Sequence, residues 1–462
     1  MLAKFKKKYI GDWDFYQKYL LLAIPMILQN AITNLVSFLD NIMVGQLGTE
    51  QMSGVAIVNQ LIFVYNLAIF GAVSAASIFG AQYFGKGNHK GHMYSFRFKL
   101  YATLLVTGGA ILLFLTKGSA LISLYLTDTV GNGATDLALQ YGLEYLAIMM
   151  VGLIPFAVNQ SYATNIKETG QPFIPMLASF VAVGTNAILD YLMIFGIGPF
   201  PELGVQGAAL ATVIARYIEA LIVVIWAHIH RGKNRYLEGA YTGFGIPLAE
   251  LKAILIKGFP LMMNEVLWAA GMTTVTQCYS VRGLDVVAGL NIASTITNLF
   301  NIVYLQLGSC ISIVVGQYLG AGKLEDAKDA DNKMIVFSVF CCVIMAALMF
   351  VVGGFFPGIY NTTEEIRELA TSFIAVSAII MPFCAFSHAS YFTLRSGGKT
   401  VVTFLFDSVF TWVIVVPAAY LLAHFTGLGI VSIYFLVQGT ELIKVIIGYL
   451  MVKSNVWVVQ MV

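Results

Sequence analysis

Long apolar runs alternate with short, polar, glycine-containing connections along the whole chain. A helix that crosses a bilayer needs roughly 20 mainly apolar residues. The pattern predicts six such spans in the first half, at 18–45, 53–83, 93–116, 134–162, 171–198 and 204–229. It predicts six more at 251–281, 286–318, 333–356, 366–394, 400–424 and 428–452. The segment 117–133, which contains LISLYLTD, either extends the third span or lies in the interface. Strands of a membrane barrel would read as ~10-residue segments of strict alternation, and that period is absent. The expected fold is an all-α polytopic membrane protein, with twelve transmembrane helices in two pseudo-symmetric six-helix lobes.

Composition supports this. Of 462 residues, 58% are apolar and 11% charged, where a soluble chain would carry about 25% charged residues. The net charge of +2 gives no argument for nucleic acid as a partner. Cys278, Cys310, Cys341, Cys342 and Cys384 all lie in apolar runs and form no CxxC or Cys/His pattern. They read as small buried hydrophobes, without a metal site or disulfide framework. The basic start MLAKFKKK resembles the head of a signal peptide, but the run after it carries Gln29, Asn30, Asn34 and Asp40. No small-residue cleavage site closes that run, so it is expected to be a retained first span.

Lys and Arg gather in alternate loops: Lys4–Lys8 before the first span, Lys86 to Lys99 after the second, Lys167 after the fourth, and Arg231 to Lys257 after the sixth. Lys323 to Lys333, Arg395 with Lys399, and Lys453 continue the series, while the opposite loops hold only Lys117, Arg282 and Arg367. Positive loops face the cytoplasm, so both termini are expected inside. The natural division is an N-terminal lobe at 1–235, a cytoplasmic linker at 236–250 and a C-terminal lobe at 251–462.

The two lobes repeat one another. A shift of 235 residues pairs Pro25 with Pro260, Gly54 with Gly289, Asn66 with Asn301, Gln82-Tyr83 with Gln317-Tyr318, and Gly85 and Gly87 with Gly320 and Gly322. An even number of spans per half makes this a parallel repeat, the kind that encloses a site near the midplane and rocks to alternate access. The repeat also removes a false lead. GAGK at 320–323 resembles part of a phosphate loop, but its partner is GKGN at 85–88, so both are turns after a span.

Carboxylates inside a bilayer are expensive and mark function by default. Asp40, Asp190, Glu265 and Asp407 are such residues. Asn30, Thr33, Asn34, Ser37, Asp40 and Asn41 share one broad face of the first span, and Asn186 lies one turn before Asp190 on the fifth. Counted at about 1.5 Å per residue, Asp40, Asp190, Tyr141 on the fourth span and Thr212 on the sixth share one slab ~7–12 Å below the outer surface. Close like charges need a proton or a cation between them, which points to ion coupling through Na⁺ or H⁺ rather than an organic cofactor. At the shift of 235 Val275 stands opposite Asp40; GKTVVTFL (398–405) follows GQPFIPML (170–177) at a shift of 228, which puts Ile414 and Ala418 opposite Asn186 and Asp190. Packing alone does not demand that only one lobe keep its acids. Glu265, opposite Asn30, and His388 with Cys384 on the tenth span are candidates for the substrate cavity, together with Asn30 and Asn34. Asp407 lies one or two turns into its span, within reach of the interface. Arg216 with Glu219, and Glu441 with Lys444, have the i, i+3 spacing of ion pairs on one helix face.

The runs IPMILQN…FLDNIMVGQLG, GAQYFGKGN, NIKETGQP, NAILDYLMIFG, GVQGAALAT and GQYLGAGK resemble the multidrug and toxic compound extrusion (MATE) family along the whole chain. The resemblance implies a twelve-helix, two-lobed fold and Na⁺- or H⁺-coupled export of cationic, amphipathic drugs. It implies an N-lobe cation site at Asp40, Tyr141, Asn186, Asp190 and Thr212. In NorM-type members the seventh-span acid lies farther past the proline than Glu265 lies past Pro260, and Cys384 stands where their tenth-span aspartate falls. The resemblance therefore carries no ion site of that type to the C-terminal lobe.

A lipid-linked oligosaccharide or polysaccharide flippase of the wider superfamily is the alternative. It would need basic residues in the cavity, whereas the N-lobe interior reads as mainly acidic. No Ser/His/Asp, HExxH or metal-ligand spacing suggests an enzyme. The expected partners are a small molecule and the lipid bilayer, with the chain a monomer in the plasma membrane.

Overall fold

The computed structural model describes residues 9–126, 134–243 and 245–462, the side chains of 36–39, 41 and 134 excepted. Lys4 to Lys8, Ser37 and Asn41 fall outside that description, as does the end of the 117–133 segment. The regular elements among the described residues are all helices, with no strand. The first half holds α1 (Trp13–Gly45), α2 (Thr49–Lys86), α3 (His89–Ser123), α4a (Ala134–Val151), α4b (Leu153–Glu168), α5 (Phe173–Ile194) and α6 (Val205–Ile229). The second holds α7 (Leu248–Ser280), α8 (Leu284–Gly320), α9 (Leu324–Gly353), α10 (Glu364–Ser396), α11 (Thr400–Phe425) and α12 (Ile430–Lys453). Ten of these are long and apolar enough to cross a membrane alone, and the α4a–α4b pair makes one bent span. With the 33-residue α1 they make up the twelve helices of the fold. The α3 helix runs on to Ser123, so the start of the LISLYLTD segment extends the third span.

The bend in α4 has a local cause. Pro155 has no N–H, and its ring crowds the carbonyl four residues back, at Val151, where α4a ends. The two helices meet at 44°. Other helices take up carbonyls at the break: Arg216 Nη1 donates to Gly152 O at 3.4 Å, and the Tyr65 hydroxyl to Leu153 O at 3.0 Å.

The chain packs as two compact units. One comprises Ile24–Gly80 and His89–Lys252. The other comprises Ala253–Val462 together with Ala81–Asn88 and the described N-terminal residues up to Ala23. Within the first unit the core gathers on α2, with Val58, Ile62, Tyr65 and Ile69 against Leu146, Met149 and Val213. Within the second it gathers on α8, with Ile296, Phe300 and Tyr304 against Met349, Phe373 and Met381. The connection at 236–250 is not a free linker. Tyr236, Leu237 and Ala240 bury themselves against Met93 and Phe96 of α3. The Arg97 guanidinium then ties the segment down by donating to the carbonyls of Gly239, Ala240 and Gly245 at 2.6, 2.9 and 2.7 Å.

The repeat seen in the sequence has a structural purpose at the ends of α2 and α8. A Cβ on Gly85 would stand 2.0 Å from the Gln317 carbonyl oxygen, and one on Gly320 would stand 1.9 Å from that of Gln82. The two helix ends therefore cross backbone to backbone, each using its own glycine. The turns that follow match as well, with Gly87 at φ +74° and Gly322 at φ +73°. That fits a repeated turn rather than a phosphate loop. Replacing Gly320 by Ala forces two backbones apart, and overpacking of this kind costs about 1–3 kcal/mol. Gly320→Ala should melt measurably earlier than the parent in a detergent thermal-unfolding scan. Gly358→Ala, whose Cβ meets nothing within 4 Å, should not.

Candidate functional site

The polar residues of the N-terminal half meet where α1, α4a, α5 and α6 come together. α5 buries Asn186 and Asp190 on one face, at 5% and 1% exposure. Asp40 of α1 faces Asp190, with the two carboxyl groups in direct interaction range. Asp40 Oδ1 and both Asp190 oxygens are buried and accept no hydrogen bond from the described residues. Asn186 lies beside Asp190, and its Nδ2 points at Thr212 Oγ1, 3.5 Å away. Thr212 donates its own hydroxyl hydrogen to Ala208 O at 3.0 Å, so its oxygen is left as an acceptor. The structure thus brings together Asp40, Asp190, Asn186 and Thr212, four side chains from three helices.

Such a set has specific chemistry. Buried polar atoms ordinarily have a partner, and two facing carboxylates repel strongly in a low dielectric. A shared proton relieves the repulsion by turning one acid into a donor. A small monovalent cation relieves it through hard oxygen ligands from the acids, Asn186 Oδ1 and Thr212 Oγ1. Among the described residues no group of three His, Cys, Asp or Glu side chains is placed to hold a metal ion.

Tyr141 packs partly buried against the apolar core, and no described contact joins it to the acids. The phenol near them is Tyr145, one turn further along α4a. It is 5% exposed, donates to Asn59 Oδ1 at 3.4 Å, and lies within electrostatic reach of Asp40, Asp190 and Arg216. The spacing of Tyr141 and Tyr145 was visible in the sequence. Which of the two reaches inward depends on where the span begins, to within one turn. Asn30 donates to Met26 O of its own helix at 2.9 Å, and Asn34 is exposed.

The expected ion pairs form differently. Glu219 accepts from Ser179 Oγ at 2.5 Å, and Ser179 accepts from Gln29 Nε2 at 2.8 Å, a chain linking α6, α5 and α1. Arg216 instead takes the Gly152 carbonyl and the Phe156 ring, 5.1 Å from the guanidinium. In the second half Lys444 pairs with Asp407 at 2.7 Å, not with Glu441. Asp407 is thus enclosed by partners, with the ammonium on one carboxylate oxygen and the Asn264 amide at 3.0 Å on the other. Glu265 lies in electrostatic reach of Arg395 and Asp407. His388 donates Nδ1–H to Cys384 O at 3.0 Å and packs its ring on Tyr304.

The N-terminal interior is also less purely acidic than its sequence suggests. Lys99, counted among the loop cations, is fully buried on α3 with its Nζ 2.5 Å from Glu168 Oε1.

Two repeated six-helix halves, with a carboxyl pair enclosed among apolar helices, define a polytopic membrane transporter. The family profile MatE matches residues 25–192 and 260–421. The chain belongs to the MatE family. It is 23% identical over 413 residues to a protein of Thermotoga maritima named probable multidrug resistance protein NorM, covering 89% of this chain and 86% of that one. A protein of the same name from Halalkalibacterium halodurans is 24% identical over 413 residues, covering 89% and 88%. Among solved structures, a MATE protein in a bent conformation superposes with a TM-score of 0.85 at 20% identity, covering 96% of this chain and 95% of that one. An outward-facing multidrug resistance MATE transporter of the MOP superfamily gives 0.85 at 20% identity, covering 96% of each chain.

Proposed function

We propose that the chain is an antiporter that exports small cationic or amphipathic organic compounds in exchange for Na⁺ or H⁺, by alternating access in the plasma membrane. The observation that carries this reading is the Asp40–Asp190 pair, with three buried carboxylate oxygens that accept nothing from the described residues. The relatives named multidrug resistance proteins support the cargo class.

The cycle follows from the pair. A cation entering from outside screens the two acids from each other, and α1, which carries Asp40, repacks against α5. Cargo held while the acids repelled is then released. Linkage makes this reciprocal: an ion that weakens cargo binding is itself weakened by cargo. For neutral cargo, one charge moving in through 100 mV supplies about 2.3 kcal/mol, enough for more than a tenfold gradient at about 1.4 kcal/mol per tenfold; a monovalent cationic cargo leaves at the same cost, so its one-for-one export is driven by the ion's concentration gradient.

A carrier of anionic head groups would need basic side chains to receive them. Buried basic groups do occur, but Lys99 is held by Glu168, Lys444 by Asp407 and Arg97 by three carbonyls, and Arg395 lies in electrostatic reach of Glu265. The test is ethidium efflux from whole cells, or uptake into inverted vesicles, with Na⁺ and pH gradients imposed separately. One of the two gradients should drive transport. Transport indifferent to both overturns the antiport reading.

The loop charges support a reading with both termini inside. Single cysteines introduced at residues 8 and 455 should be labelled by an impermeant reagent only after the cells are opened. Labelling of intact cells at either position contradicts this orientation.

A further inference from the structure

The C-terminal half buries a charge cluster that the coupling reading leaves unused. Lys444 on α12 is 7% exposed, and its Nζ donates to Asp407 Oδ1 on α11 at 2.7 Å. Asp407 Oδ2 accepts from Asn264 Nδ2 of α7. Asp407 lies in a π-helical turn, Leu405–Val409, a rare geometry that collects at functional positions. The Phe406 and Phe410 rings lie 5.3 and 5.9 Å from the ammonium. Glu441 stands one turn before Lys444 on the same helix. Its Oε1 is buried and has no hydrogen-bond partner among the described residues. His388, with its Nδ1–H on Cys384 O, lies within electrostatic reach of Lys444, Asp407 and Glu441.

Two features set this cluster apart from a closed structural pair. The first is its charge count. Three carboxylates meet two cations here, with Glu265 in electrostatic reach of Arg395, and Asp407 and Glu441 in reach of Lys444. With all five ionised and His388 neutral, one negative charge is left over, and an uncompensated charge among apolar helices is costly. One further cation cancels it. The second is the choice open to Lys444. An i, i+3 neighbour shares its helix face, and the flexible four-carbon stem of lysine reaches either carboxylate, yet only Asp407 is bonded.

We propose that Lys444 is a counter-ion displaced by cargo: an organic cation takes the Asp407 carboxylate, and Lys444 moves to Glu441. The inference rests on the reading of the cargo as cationic. Phe406 and Phe410, which now face the ammonium, then face the cargo, and aromatic faces attract organic cations. Lys444 becomes a specificity residue. In the cargo-free protein it keeps Asp407 satisfied, and it sets a threshold that neutral compounds, unable to replace its charge, do not pass.

The test is ethidium binding to the purified full chain by fluorescence anisotropy, with a neutral fluorophore of similar size as control. Thermal unfolding scans confirm that each variant is folded. Lys444→Met frees Asp407 and should tighten ethidium binding about tenfold, or ~1.4 kcal/mol. Glu441→Gln removes the landing place and should weaken binding by a similar factor. In the Lys444→Met background, Glu441→Gln should have little effect, because no ammonium is left to move; such non-additivity is the mark of a shared step. The neutral probe should follow neither change. The proposal is overturned if folded Lys444→Met binds ethidium no better than the parent, or if Glu441→Gln costs the same in both backgrounds. If neither the parent nor any variant binds ethidium, the cationic-cargo reading falls and this inference falls with it. Should Lys444→Met fail to fold, Glu441→Gln against Glu441→Asp decides: only the aspartate should retain parental affinity, and equal affinities overturn the proposal.

Discussion

Asp40→Asn should insert into the membrane at the parental level and yet reduce gradient-driven ethidium efflux to that of cells without the transporter. The substitution keeps the shape and removes the charge. With one carboxylate left, a proton or alkali ion has no repulsion to relieve, and its binding no longer favours one packing of α1 over another. Asp190→Asn should give the same loss from the other side of the contact. The double variant should be no worse than either single one, since residues that act as a unit are strongly non-additive. Independent contributions would instead multiply. Cargo affinity in detergent, measured against Na⁺ and against pH, separates coupling from binding. The parent should show ion dependence, and Asp40→Asn should bind cargo without it. Full ion dependence in a folded Asp40→Asn protein would move coupling away from this pair, with Glu265 next in line. Tyr145→Phe tests the neighbourhood. Its phenol lies in electrostatic reach of both acids, so its loss should alter ion dependence more than Tyr141→Phe does.

The spans were legible in the sequence because hydrocarbon imposes a length and a polarity on every crossing. Their ends were not. α2 runs from Thr49 to Lys86 where the apolar run suggests 53–83, because a helix gains a hydrogen bond per residue and continues into the polar interface. The meeting of Asp40 with Asp190 was legible by depth, since rise per residue is fixed once a span is known. Tyr141 and Tyr145 could not be told apart that way, because their difference is one turn and so is the uncertainty in a boundary. The ion pairs failed for another reason. Spacing along one helix shows Glu441 beside Lys444, but it cannot show Asp407 on the neighbouring helix, 37 residues away in sequence. The ammonium bonds Asp407, whose other oxygen accepts from the Asn264 amide. Lys99 misled in the same way, since a lysine in a positive loop series gives no sign that Glu168 waits for it across α4b.

That Lys99–Glu168 pair carries the largest stability effect expected in the protein. Lys99 is 0% and Glu168 1% exposed. The ammonium lies 2.5 Å from Glu168 Oε1 and 3.3 Å from Asn165 Oδ1, and Glu168 Oε2 lies 3.3 Å from His92 Nε2. The site is tight on its open side too, since a Cβ on Gly80 would stand 2.1 Å from Glu168 Oε2. Removing one partner from such a pair leaves a buried charge uncompensated and costs about 3–5 kcal/mol, whereas replacing both partners together is often neutral. Lys99→Met should therefore lower the melting temperature of the purified protein sharply and reduce the amount recovered from membranes. Lys99→Met with Glu168→Gln should regain most of the loss, because the amide keeps the shape and carries no charge. The interior of this half would then be held by apolar packing, with the ion pair fixing how α3 meets α4b. A double variant as unstable as Lys99→Met alone would show that Glu168 has a second essential partner. His92→Phe in the parental background would then identify it, by producing the same loss with the Lys99–Glu168 pair intact.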